Sequence, residues 1–181
     1  VEAVELSFED KKNFIEPALL GVAESLKVGL CNEIARLRAF GQYDSADKGT
    51  IVKTQPGLHS CKIGERELKL QSPTLSAAQF EELLKPFLDT DLLYARETEY
   101  RLTCSVFAPL QDALDRSDIS APEIDLCLMV GGSSLIPQMT DALAGFFPKA
   151  KLLSFQDREA VQLAVARGAA AHALSLALYG T

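Results

Sequence analysis

Apolar positions in the first forty residues recur at helical spacing. Residues 8–38 are therefore predicted to form a helix in two pieces, because Pro17 is best tolerated in a first helical turn. The stripe expected to face the core consists of Leu19, Leu20, Ala23, Leu26, Lys27 and Leu30. A polar loop is predicted at residues 41–49, where turn-forming side chains cluster.

The next stretch combines short alternating segments with a strongly amphipathic helix. Strands are predicted at 50–54, 58–63 and 67–71, with a turn at Gly64 and Glu65, which together indicate a small antiparallel sheet. Ser76 and Gln79 have the spacing of a capping box that opens a helix. Its predicted apolar face consists of Phe80, Leu83, Leu84, Phe87 and Leu88, which places Glu81 and Glu82 towards solvent.

The last third of the chain alternates strand and helix. Residues 92–117 pattern as a long helix that Pro109 should kink or split. The run 124–130, which is apolar apart from Asp125, is typical of a strand buried on both faces, as in a parallel sheet. The elements predicted after it are a glycine turn, a helix from Pro137 to Phe147, a strand at 151–155 and an alanine-rich helix at 158–178. The small residues 168–171 indicate tight packing of that helix on the sheet.

This order predicts an α/β protein with two parts. Residues 1–100 would hold helices and the small antiparallel sheet, and residues 101–181 a partial parallel sheet with helices. A sheet with few strands leaves an exposed edge, which favours association with another chain or a second copy.

Composition narrows the function classes. The 181 residues are 48% hydrophobic and carry a net charge of −7, which disfavours nucleic acid as a partner. No uninterrupted apolar run is long enough for a transmembrane helix, and no signal peptide is recognisable, so neither a membrane nor secretion is expected. The cysteines match no metal or redox spacing, and buried free thiols are expected at Cys31, Cys61, Cys104 and Cys127. That usage fits the reducing cytoplasm.

The sharpest local feature is Gly131-Gly132-Ser133-Ser134, between a predicted strand and a predicted helix. Glycines allow close approach of a ligand to the backbone, and a helix start offers N–H groups to an anion. A Gly-Gly turn is also common for steric reasons alone, so the turn leaves both interpretations open. His59 and His172 have no partners at metal-ligand spacing and are interpreted as structural.

A longer comparison of motifs points to one family. The run from Ile124 to Pro137 resembles the adenosine-binding turn of the Hsp70 chaperones and actin-like ATPases. The helix, the strand and the Ala164–Ala170 core that follow are similar to that family in order and spacing, as is the run from Ser76 to Phe87. The resemblance implies an actin-like ATPase fold of the ribonuclease H type, in which this chain is lobe II of the nucleotide-binding domain.

The resemblance also implies site residues for ATP or ADP, with Mg²⁺ in the intact parent. The glycine turn contributes Gly131, Gly132 and Ser133, and the helix that closes over the adenosine contributes Glu24 and Lys27 as ribose contacts. Without the family, Glu24 and Lys27 would be interpreted as an i,i+3 surface pair. Implied partners are lobe I of the same parent and a nucleotide exchange factor or co-chaperone.

The sequence departs from the family pattern at four positions. Val28 and Leu135 replace the two arginines that enclose the adenine, Cys31 replaces a serine near the ring, and Gln162 stands where an aspartate is usual. The two phosphate loops of the family are absent, so no catalytic residue is assigned and this chain alone is not expected to hydrolyse ATP. The first hypothesis is a nucleotide-binding fragment of an Hsp70-like chaperone. The second is a regulatory or interaction module that keeps the fold and binds nucleotide poorly.

Overall fold

The computed structural model describes residues 6–91, 96–97, 102–103, 105–155 and 158–180. It divides the chain into two compact units, Val1–Ala108 and Pro109–Thr181. Both units combine helices with small sheets, in agreement with the predicted mixed α/β class.

The first unit begins with a nearly continuous helical segment. Helix α1 covers Phe8–Asp10, a π-helical turn covers Lys11–Ile15, and helix α2 runs over Glu16–Ala39. The predicted division into pieces is confirmed as a change of helix type directly before Pro17. A proline cannot donate the hydrogen bond of a helix interior, which accounts for the irregular turn at this place.

The buried face of α2 forms one wall of the first core. Its buried side chains follow helical spacing and are Leu26, Leu30, Cys31 and Ile34. The predicted stripe is therefore confirmed at Leu26 and Leu30. It is wrong at Ala23, which is exposed, and at Leu20, which is 62% exposed, because the described residues pack on α2 mainly towards its C-terminal half.

Four short strands follow, namely β1 (Val52–Thr54), β2 (Leu58–Ile63), β3 (Arg66–Gln71) and β4 (Thr74–Ser76). The β2–β3 hairpin and its turn at Gly64 are confirmed. Strand β4 was not predicted, and it pairs antiparallel with β1. The small antiparallel sheet thus consists of two two-stranded ladders, β1–β4 and β2–β3.

The two ladders are successive parts of one bent hairpin. Thr54 lies opposite Thr74 in the first ladder, and Leu58 lies opposite Gln71 in the second. Between them Pro56 and Gly57 face the single residue Ser72, whose N–H donates to the Gly57 carbonyl at 2.8 Å. Two residues against one is a β-bulge, and it is accompanied by positive φ angles of 111° at Gly57 and 44° at Ser72.

Helix α3 (Ala77–Leu84) begins at the predicted capping box and runs into a 3-10 turn over Lys85–Phe87. The Gln79 N–H donates to Ser76 Oγ at 3.2 Å, and the Ser76 N–H donates to Gln79 Oε1 at 3.0 Å. Phe80 and Leu84 are buried as predicted, but Leu83 is 61% exposed. The solvent-facing prediction is wrong for Glu81, which accepts a hydrogen bond from the buried Tyr43 and pairs with Lys48. A buried phenol needs such a partner.

The long helix predicted over residues 92–117 is wrong in its first part. Strands β5 (Arg96–Glu97) and β6 (Leu102–Thr103) pair antiparallel, and helix α4 covers only Phe107–Ser117. The other residues from 92 to 104, including Cys104, lie outside the described part. Ser105 Oγ accepts the Phe107 N–H at 3.2 Å, so Pro109 falls in the first turn of the helix, where a missing N–H costs nothing.

The second unit confirms the predicted strand, turn, helix, strand and helix. Strand β7 (Leu126–Met129) pairs in parallel with β8 (Lys151–Ser154), and α5 (Pro137–Phe146) connects them. Helix α6 (Arg158–Tyr179) closes the described chain. The core of this unit consists of Leu114, Met129, Ile136, Met139, Leu143, Phe147 and Val161.

The prediction that this strand is buried on both faces is wrong. Met129 is 4% exposed, but Leu126 and Leu128 on the opposite face are 54% and 57% exposed. The expected tight packing of residues 168–171 on the sheet is also wrong, because these residues are exposed and a Cβ at Gly168 would meet nothing within 4 Å. Among the described residues, the sheet has two strands and only one covered face.

Two further findings concern membranes and thiols. Among the described helices, none combines the length and apolarity that crossing a bilayer requires. The described cysteines form no disulfide, and Cys31 is buried as predicted, whereas Cys61 and Cys127 are half-buried. Burial raises the pKa of the Cys127 thiol.

Candidate functional site

The glycine turn joins β7 to α5 through an irregular backbone. Gly131 has φ 81° and ψ 158°, a conformation largely restricted to glycine. A 3-10 turn follows over Gly132–Leu135. Ser134 stabilises it, because its N–H and its hydroxyl donate to the Gly131 carbonyl at 3.1 Å and 2.7 Å.

The turn is also tied to the last helix. The Gly131 N–H donates to the carbonyl of Val161 at 3.3 Å, and the Val161 side chain is 1% exposed. This hydrogen bond therefore holds the start of the turn against helix α6. The carbonyl and amide of Gly131 are both engaged within the protein, which leaves the later residues of the turn as the groups that a ligand can meet.

Space in front of the turn is open within the second unit. A Cβ atom built on Gly131 or Gly132 would meet no other atom within 4 Å, and both residues are exposed. Ser133 is also exposed, whereas Leu135 is half-buried and Ile136 is buried. The turn therefore offers accessible backbone at Gly132 and Ser133 and an apolar edge at Leu135.

The two charged residues predicted to contact a ribose lie together on α2. Lys27 Nζ and Glu24 Oε2 are 2.5 Å apart, with side-chain exposures of 35% and 56%. They thus form the i,i+3 surface pair that their spacing alone predicts. Both charged groups remain accessible to solvent, so a ligand with two hydroxyl groups could take the place of this ion pair.

The other two predicted contacts on α2 differ in exposure. Val28 is half-buried, so part of its side chain is available at the surface. Cys31 is 6% exposed, which directs its thiol into the first core. Of the two residues, Val28 is therefore the more accessible to a ligand.

A charged cluster on α2 was missed by the sequence interpretation. Arg36 donates to Glu33 Oε1 at 2.6 Å, and Lys53 of β1 lies 3.3 Å from Glu33 Oε2. The Arg36 hydrogen bond and the Lys53 contact hold the pKa of Glu33 below its usual value, against the opposing effect of burial. The i,i+3 spacing of Glu33 and Arg36 could have indicated the first contact, but the contact with Lys53 depends on the fold.

The predicted site residues therefore form two groups. Gly131, Gly132, Ser133 and Leu135 belong to the second unit, and Glu24, Lys27, Val28 and Cys31 belong to the first. The side chain of Gln162 lies outside the described part of the chain. Within that part, no three His, Cys, Asp or Glu side chains are grouped so that they could hold a metal ion.

Comparison with known proteins gives two findings. A family model described as "Hsp70 protein" matches residues 53–177. The chain is also 28% identical over 137 residues to "Chaperone protein dnaK1" of Synechocystis sp. (strain ATCC 27184 / PCC 6803 / Kazusa). This alignment covers 74% of the present chain and 17% of the relative, so the chain spans a small part of the length of that protein. No solved structure matches the chain at a significant level.

Proposed function

Because this chain belongs to the Hsp70 family, we propose that it forms lobe II of an actin-like ATP-binding domain in an Hsp70-like chaperone. In this role it supplies the adenosine-binding half of a cleft for ATP or ADP. The proposal rests above all on the exposed turn at Gly131 and Gly132, which joins a parallel strand to a helix and has free space in front of it.

The residues present fit the nucleoside part of the ligand. Gly132 and Ser133 expose backbone that a ligand can approach closely, and Val28 and Leu135 provide apolar surface for a ring. Glu24 and Lys27 have hydrogen-bonding groups for sugar hydroxyls. Mg²⁺ would be bound by the phosphates and by groups of the intact parent, and we assign no residue of this chain to it.

The experiment is a calorimetric titration of the complete nucleotide-binding domain of the parent protein with ATP. Gly132→Val should weaken ATP binding about tenfold or more, which corresponds to ~1.4 kcal/mol. A Cβ added at Gly132 meets no protein atom within 4 Å, so we ascribe the loss to the ligand. Gly145→Val, at an exposed position of α5 with the same free space, is the matched control and should leave affinity unchanged. Equal affinities of the two variants would reject the nucleotide site at this turn.

A second function is favoured by the replacements at the adenine positions. Val28 and Leu135 lack the planar cations that would cover both faces of the ring, and Cys31 is buried. These replacements would make the chain a regulatory or interaction module that binds nucleotide weakly or not at all. A wild-type domain that is folded but does not bind ATP would support this function.

Partners and compartment follow the same proposal. The first unit would dock a nucleotide exchange factor or another co-chaperone, and the second unit would associate with lobe I of the same parent chain. The cysteines Cys31, Cys61 and Cys127 form no disulfide, which supports a reducing compartment, and we propose the cytoplasm. Redox-sensitive fluorescent tagging of the parent in cells would test the compartment.

A further inference from the structure

A small cavity lies inside the first unit, between the N-terminal helical segment and one face of the β2–β3 hairpin. Its volume is about 180 Å³. The residues that line it are Ile15, Leu19, His59, Cys61, Leu68, Lys69 and Leu70. None of them belongs to the proposed nucleotide site, so this cavity is independent of that proposal.

The strand register explains why these side chains share one face. His59 lies directly opposite Leu70, and Cys61 lies directly opposite Leu68. Alternate residues of a strand point to the same side of the sheet, so these four side chains form one continuous wall. Ile15 and Leu19, one helical turn apart, form the facing wall.

The cavity is mainly apolar, but one of the residues that line it carries an unsatisfied polar atom. The Nε2 atom of His59 is buried and has no hydrogen-bond partner. The thiol of Cys61 is already engaged, because it donates to the Phe14 carbonyl at 3.1 Å. A buried polar atom without a partner destabilises the folded chain, so a ligand that supplies the missing hydrogen bond gains affinity from it.

We propose that this cavity binds a compact aromatic ligand with one hydroxyl group, of the phenol class. An apolar cavity of about 150 Å³ is large enough for benzene, so a single ring fits the volume found here. The ring would contact Ile15, Leu19 and Leu68. The hydroxyl would meet His59 Nε2, and it suits either tautomer of the neutral imidazole because it both donates and accepts.

The test compares phenol with benzene in titrations of the chain, followed by amide chemical shifts in ¹H–¹⁵N spectra. Phenol should shift the amides of the lining residues and should bind about three- to tenfold tighter than benzene, the range expected for one hydrogen bond. His59→Leu should abolish the preference for phenol while benzene still binds. Leu68→Phe should fill the cavity and weaken both ligands.

Leu58→Phe is the matched control. Leu58 lies on β2 and is 56% exposed, so the added ring should leave both affinities unchanged. The dispersion of the amide spectrum shows for every variant that the chain is folded. The proposal is overturned if phenol at millimolar concentration leaves the amides of the lining residues unshifted. It is equally overturned if Leu58→Phe weakens phenol as much as Leu68→Phe does, or if His59→Leu keeps the preference for phenol.

Discussion

The phenolic hydroxyl of Tyr43 donates a 2.7 Å hydrogen bond to Oε1 of Glu81, across 38 residues of chain. The Tyr43 ring is 1% exposed, and Lys48 Nζ binds the same carboxylate at 2.9–3.0 Å. The bond joins the loop after α2 to helix α3. It is a structural contact that secures the first unit.

Removing that hydroxyl should destabilise the first unit. Tyr43→Phe keeps the buried ring but leaves Glu81 with one donor fewer, so the free energy of unfolding should fall by about 1 kcal/mol. Urea denaturation followed by circular dichroism measures this. Tyr179→Phe, at a side chain that is 76% exposed, is the control and should change nothing. Equal stabilities of the two variants would show that the bond contributes no net stability.

Any side chain added at Gly131 should destabilise the second unit, because of the backbone conformation of this residue. With φ 81° and ψ 158°, Gly131→Ala should lower the free energy of unfolding of the second unit by about 1–3 kcal/mol, because this conformation is strained for residues with a Cβ. Gly132→Ala is the matched control, since its Cβ also meets open space and its φ is not positive. Thermal denaturation measures both variants, and the effect of Gly132→Ala on the free energy of unfolding should stay within about 0.5 kcal/mol. A similar loss in both variants would contradict the assignment to backbone strain.

The isolated chain should not hydrolyse ATP. The two phosphate loops that the family uses for catalysis are absent from the 181 residues. Phosphate release by the purified chain should therefore equal that of a heat-killed sample. Turnover that persists through a second, different purification would show that the chain carries catalytic groups of its own.

Restoring the cationic faces should strengthen nucleotide binding in the complete domain. In the adenosine site that we propose, Val28→Arg combined with Leu135→Arg would add a guanidinium plane for each face of the adenine, and each is worth about 0.5–2 kcal/mol. Calorimetry should therefore show tighter ATP binding by the double variant than by wild type. Arginine at the exposed Leu83 of α3 is a control for added charge and should have no effect. An unchanged affinity in the double variant would count against the adenosine site.

The open face of β7 should promote self-association. Leu126 and Leu128 expose more than half of their side chains on a sheet that has two strands in the described part of the chain. Sedimentation velocity at high concentration should show oligomers that Leu128→Glu reduces. Leu83→Glu, at a residue that is 61% exposed on α3, should not reduce them. A wild-type chain that remains monomeric at the highest soluble concentration would refute this prediction.

Local sequence signals determined most of the elements. The capping box at Ser76 and Gln79 fixed the start of α3, because two backbone groups are satisfied by neighbours three residues apart. Pro17 and Pro137 marked first helical turns, and Gly64 marked the hairpin turn. The strand, turn and helix around Gly131 were also predictable, since an apolar run followed by glycines has few other structures.

Tertiary structure decided which sides of these elements are covered. The spacing of Glu81 predicted exposure to solvent, but its carboxylate accepts the hydrogen bond that the buried phenol of Tyr43 requires. The apolar run at Leu126 and Leu128 predicted burial on both faces, but a strand is covered only where another element packs against it. Strand β4 was not predicted, because its three residues show little periodicity. Its pairing with β1 also depends on a bulge at Gly57 and Ser72. Hydrophobic patterns specify local conformation, whereas burial depends on which other elements are present to exclude water.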